Sequence, residues 1–99
     1  MLKTDLEKSV LELCAEDYFG VWELYWNYQG LTGKKDVDDK LFIATLEELV
    51  AAKKIIPFEK NKYSNEFEQA PFDVERLRSE LKQVKADKIA EELYWFSDR

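Results

Sequence analysis

The chain has no histidine. That removes the commonest general base, the usual zinc ligand and every catalytic triad built on imidazole. A single cysteine, Cys14, allows neither an intramolecular disulfide nor a multi-cysteine metal cage. A chain that manages without a disulfide is expected in the cytoplasm. Three glycines, scattered, cannot build a phosphate-cradling loop, and with only two prolines they argue against a turn-rich β-sandwich. Apolar runs stop at four residues, far short of the roughly 20 needed to cross a bilayer. The opening Met1-Leu2-Lys3-Thr4-Asp5-Leu6-Glu7 carries acids where a signal peptide would carry its apolar stretch, so a cytoplasmic protein without membrane contact is expected.

What is present is a core. The 99 residues are 45% hydrophobic and 36% charged, the proportions of one globular domain and not of a disordered chain. Surface scaling lets a chain of this size bury about 65% of its extended surface. The formal charge of −6 belongs wholly to the first half. Residues 1–50 set five lysines against eleven carboxylates, and residues 51–99 set ten basic against ten acidic side chains. Such a balance repels phosphate and favours basic partners, although solubility alone also accounts for it.

Thr4 to Glu7 fits a capping box, and Leu6, Val10, Leu13 and Cys14 follow at helical spacing, which predicts a helix over about 4–16. Asp17 is expected to cap a second helix ended by Gln29-Gly30. That helix is apolar around most of its circumference, with Val21, Leu24, Tyr25 and Tyr28 on one stripe and Tyr18, Trp22 and Trp26 on another. Either both stripes are covered, the second by the C-terminal segment, or part of this aromatic surface stays exposed as an interface. Asp36 or Asp38 then caps a third helix reaching about Lys54, with Phe42, Ile43, Leu46, Leu49 and Val50 on its core face. Residues 54–58 read as a strand that Pro57 should confine to an edge, and a second strand near Glu66-Phe67-Glu68 completes a hairpin. Asp73 caps a last helix carrying Val74, Leu77, Leu81 and Val84, which breaks near Ala86-Asp87 and restarts through Ile89, Leu93 and Phe96.

Three helices, a hairpin and more helix predict a mainly α fold with a small β-hairpin. The run from Phe42 to Ile56, a helix feeding an apolar strand, resembles the third helix and first wing strand of winged-helix domains. One domain over 1–99 is expected, with a winged-helix-like core at 1–70 and a helical C-terminal segment at 71–99.

Candidate chemistry is thin. Three carboxylates in Asp36-Val37-Asp38-Asp39-Lys40 sit where a recognition helix would meet phosphates, and no arginine precedes Arg76, so nucleic-acid binding is disfavoured. Asp36, Asp38 and Glu47 imitate an EF-hand, but Lys40 and Leu41 stand where a ligand and a glycine are required. Adjacent acids such as Glu47/Glu48 and Glu91/Glu92 diverge by about 100° on a helix. No enzyme, metal or cofactor is expected. There remains surface recognition of a protein: Glu16, Asp17, Glu23, Asp36, Asp38 and Asp39 would steer a cationic partner, and whichever of Trp22, Trp26, Tyr94 and Trp95 are exposed would anchor it. The alternatives are a winged-helix nucleic-acid binder and a homodimer subunit that buries its spare aromatics.

The aromatic second helix (Val21-Trp22-Glu23-Leu24-Tyr25-Trp26), the join from Leu46 to Ile56 and the terminal Tyr94-Trp95-Phe96 together resemble a family of small bacterial proteins, domain of unknown function 596. Some of its members look like immunity partners of polymorphic toxins. The resemblance implies neutralisation of a basic toxin domain by binding, without chemistry. The family's chain is expected to continue past the aromatic run, whereas this sequence ends at Arg99.

Overall fold

A computed structural model describes residues 3–99; Met1 and Leu2 of the opening run lie outside the described residues. Helix α1 (Lys3–Glu16) buries Leu6, Val10 and Cys14, the stripe that the spacing marks. Thr4, expected as N-cap, lies within its first turn. Asp17 caps no helix; its carboxylate accepts the N–H of Tyr18 at 2.7 Å. The chain instead passes through a two-residue strand, β1 (Phe19–Gly20), before helix α2 (Val21–Thr32). Two orphan amides at this start find partners. The Gly20 N–H donates to Glu23 Oε1 at 3.0 Å, and the Val21 N–H donates to the Tyr94 carbonyl at 2.9 Å.

The helix runs through Gly30 and ends at Thr32, past the expected Gln29-Gly30 stop. Gly33 takes the left-handed exit at φ 67°, and its N–H closes on the Gln29 carbonyl at 2.9 Å. Helix α3 (Asp39–Ala51) starts as its acids direct, since the Asp38 carboxylate accepts the amides of Lys40 and Leu41 at 3.0 and 3.2 Å. It ends at Ala51, short of the expected Lys54, where Lys53 adopts φ 59°.

The expected hairpin is present as β2 (Ile56–Lys60) and β3 (Phe67–Gln69), but it is only half of a four-stranded antiparallel sheet. After α4 (Val74–Lys85), capped by Asp73, the chain breaks at Asp87 with φ 59°. The expected helical restart does not form. Trp95–Ser97 is instead strand β4, giving the order β1-β4-β2-β3. In this segment Tyr94 and Phe96 point into the core and Trp95 to the opposite face, so its periodicity is two and not 3.6. Four helices and a small antiparallel sheet, counted among the described residues, make this a mixed α/β domain, with β4 inside the sheet.

Pro57 therefore does not mark an edge, because β2 pairs on both sides. Its carbonyl accepts the Ala70 N–H at 3.0 Å. An extended residue aims its N–H and C=O the same way, so the missing donor faces Ala70, just beyond the end of β3. The ladder to β4 loses nothing.

Helix α1 lies against α2, α3 and β4, and α4 closes the layer against α2 and α3. Between them lie Leu6, Val10, Leu24, Phe42, Leu46, Leu77, Tyr94 and Phe96, each almost completely buried and each contributing about 1.5–3 kcal/mol of transfer free energy. Buried Glu80 pins the last strand: one carboxylate oxygen accepts the Tyr94 N–H at 2.8 Å and the other accepts Arg76 Nε at 2.7 Å. At the chain end, Ser97 Oγ and the Asp98 N–H both donate to the Cys14 carbonyl, satisfying the open end of α1. Among the described residues no helix is long and apolar enough to cross a membrane.

Candidate docking surface

The sheet register divides the aromatics. Pro57 and Phe96 share the face turned to the helices, whereas Phe58, Trp95 and Gly20 align on the other, with Phe67 and Lys60 paired beside them. Side chains from the start of α2 and the segment before it cover that second face. Tyr18 stacks on Phe67 at 4.0 Å and meets Phe58 edge-on at 5.0 Å. Trp22 lies over the bare Cα of Gly20 and meets Trp95 edge-on at 4.9 Å. These rings shield one another, and the Lys60 ammonium sits 5.6 Å from the Trp95 ring. The expected second aromatic stripe thus splits, since Tyr18 precedes α2 and joins Trp22 in roofing the sheet while Trp26 is left outside.

Trp26 is 49% exposed. It lines a groove of about 270 Å³ with Asp36, Lys35 and Lys85. Asp36 also lines a second groove of about 500 Å³ with Asp5, Asp38 and Leu31, itself 44% exposed. An indole and an isobutyl group therefore flank a strip of acids, with Lys34 and Lys35 at its edge. Of the three acids before and at the start of α3, Asp38 is occupied as a cap and Asp39 accepts the Tyr25 hydroxyl at 2.6 Å and Lys85 Nζ at 2.8 Å. Asp36 has no side-chain hydrogen bond or ion pair among the described residues. It is a carboxylate without a structural duty beside an exposed tryptophan.

The Tyr25–Asp39–Lys85 cluster holds protons in place. Burial, reinforced by the hydrogen bond to Asp39, pushes the Tyr25 phenol well above its ordinary range. The Asp39 carboxylate raises the Lys85 ammonium as well. Both shifts oppose what a nucleophile or base requires. Burial likewise pushes the Cys14 thiol up to about 12, against thiolate chemistry.

The expected site residues do not form one surface. Trp26, Asp36, Asp38 and Asp39 come together. Glu16 and Asp17 lie at the far end of α1, where the Glu16 carbonyl accepts the Arg99 guanidinium at 2.8 Å. Glu23 is half-buried and serves the start of α2. Tyr94 is fully buried, its hydroxyl donating to the Pro71 carbonyl at 2.6 Å, and Trp22 is buried over Gly20, so neither offers an anchor. Trp95 is half-buried with its indole N–H on the Glu91 carbonyl at 3.0 Å. Leu31 was not among the expected site residues because the expected stop at Gln29-Gly30 left it beyond the helix, whereas α2 continues to Thr32 and carries it. No family model, curated protein or solved structure matches the chain.

Proposed function

We propose that this protein is a non-catalytic binding module that docks on a basic protein, in the manner of an immunity-type inhibitor of a toxin domain. The observation that carries the reading is Trp26, half exposed beside the unpaired Asp36 and continuous with Leu31. Tryptophan anchors rimmed by charge are the chemistry of interface hot spots, and carboxylates around them speed the approach of a cationic partner. The likeness to domain of unknown function 596 and a cytoplasmic setting, compatible with a lone buried thiol, belong to this reading. So does a winged-helix-like arrangement of the first seventy residues, supported by the order of three helices before the β2–β3 hairpin.

The test is capture of a partner from source-cell lysate by the wild type and by Trp26→Ala/Asp36→Asn, with solution mass measured in parallel. A basic protein held stoichiometrically by the wild type and released by the variant supports the reading. Equal retention by the variant overturns the docking surface. A clean dimer with nothing attached reassigns Trp26 to self-association.

A further inference from the structure

The carboxylate excess of the first half makes one furrow conspicuous, because its rim is of the opposite sign. Between α3 and α4 run two adjoining grooves of about 460 and 280 Å³ that share Lys40, Ile43 and Arg78. Lys40, Ile43, Ala44 and Glu47 fall on one face of α3, and Val74, Arg78, Leu81 and Lys85 on one face of α4. Ile43, Ala44 and Val74 are half-buried and Leu81 is buried, so the floor is aliphatic. Lys40, Arg78, Lys82 and Lys85 are exposed above it. On the acidic side stand Glu47 and Asp39, and Asp39 already holds Tyr25 and Lys85. Arg78 is paired with Glu75, whereas Lys40 and Lys82 have no ion pair among the described residues. From Val74 to Lys85 the furrow follows three turns of α4, roughly 17 Å at the helical rise.

A trough with an aliphatic floor about two turns long, bordered by the unpaired ammonium groups of Lys40 and Lys82, is complementary to a helix with an apolar stripe and carboxylates on its flanks. We propose that the α3–α4 furrow docks an acidic amphipathic helix of a second protein. Phosphate would also feel the lysines, but the floor offers no aromatic ring on which a base could stack, which favours the helix over a nucleic acid. This surface adjoins the Trp26–Asp36 groove at Lys85 but is of opposite preference, so the two sites select different partners.

The test titrates the isotope-labelled full chain with a helical peptide of about 15 residues, leucines along one stripe and glutamates on its flanks, and with its lysine counterpart. The glutamate peptide shifts the backbone amides around Ile43 and Leu81 saturably, and the lysine peptide does not. Lys40→Glu/Lys82→Glu weakens that binding about tenfold or more, and Lys40→Gln/Lys82→Gln weakens it by less. Trp26→Ala leaves it unchanged. Equal binding of both peptides, shifts elsewhere on the surface, an absence of saturable shifts, or displacement of the peptide by a single-stranded oligonucleotide overturns the proposal.

Discussion

Replacing Glu80 by alanine removes the clasp that joins the last strand to α4. Glu80 is 4% exposed, and both of its oxygens are engaged, by the Tyr94 N–H and by Arg76 Nε. The alanine variant leaves a buried amide without an acceptor and strips a partner from a guanidinium that also lies 3.9 Å from the Tyr94 ring. Arg76 is 29% exposed and keeps Glu59, so the loss falls chiefly on the orphaned Tyr94 amide and costs about 2–3 kcal/mol, a substantial part of the roughly 5–15 kcal/mol available to a domain of this size. Glutamine keeps an acceptor for Tyr94, and Arg76 keeps Glu59, so Glu80→Gln costs about 1–2 kcal/mol. Burial, outweighing the Tyr94 N–H and Arg76, raises the Glu80 carboxyl above its ordinary value of 4.5. A raised folded-state value means that the stability linked to its proton is fully present below 4.5 and is lost as pH climbs through the folded value. Glu80→Gln should flatten that slope. Urea unfolding at several pH values, followed by tryptophan fluorescence with the m-value compared, reads both effects. Equal midpoints for the alanine and glutamine variants, or an alanine variant within about 0.5 kcal/mol of wild type, would refute the clasp.

The glycines of α2 and its approach give opposite expectations. A Cβ on Gly20 would sit 2.5 Å from the Trp22 ring, so Gly20→Ala should displace the indole and destabilise by about 1–3 kcal/mol, visible as a changed emission spectrum and a lower urea midpoint. Gly30 has open space around its Cα, and Gly30→Ala should stabilise by about 0.5–1 kcal/mol in the same assay. Cys14, fully buried, should react with a thiol reagent at pH 8 only as fast as the chain unfolds. Because its folded value lies near 12 against 9.0, Cys14 should also erode stability as pH rises between those limits, and Cys14→Ser should lessen that alkaline slope.

Where a local rule suffices, the sequence is transparent. Asp38 and Asp73 cap the helices they precede, α4 buries Leu77, Leu81 and Val84, and the β2–β3 hairpin follows from its flanking turn residues. Strands β1 and β4 were opaque because their partners lie far along the chain: Phe19 pairs with Phe96, and Phe96 in turn with Pro57, partners that no local window contains. Leu93, Tyr94 and Phe96 fit a helical stripe as readily as a strand, and only the edge presented by β2 decides between them. Pro57 misled for the same reason, since its harmlessness depends on where β3 ends. At the candidate site, the acids before α3 were legible as a group. Which of them is spare was not, because Asp39 is claimed by Lys85 from a distant helix. The α3–α4 furrow has no local signature in the sequence for a related reason: its lysines and arginine are split between two helices far apart in sequence.

The central claim, that a cationic partner meets the Trp26–Asp36 strip, is tested most directly by the association rate of the captured partner across a range of ionic strength. Asp36→Asn/Asp38→Asn is the informative variant, since asparagine preserves the α3 cap and Asp39 keeps its structural partners. The wild-type rate should fall several-fold as salt rises from low to physiological, and the variant should be slower at low salt with a shallower dependence. Identical rates and identical salt slopes for the two proteins would contradict the claim.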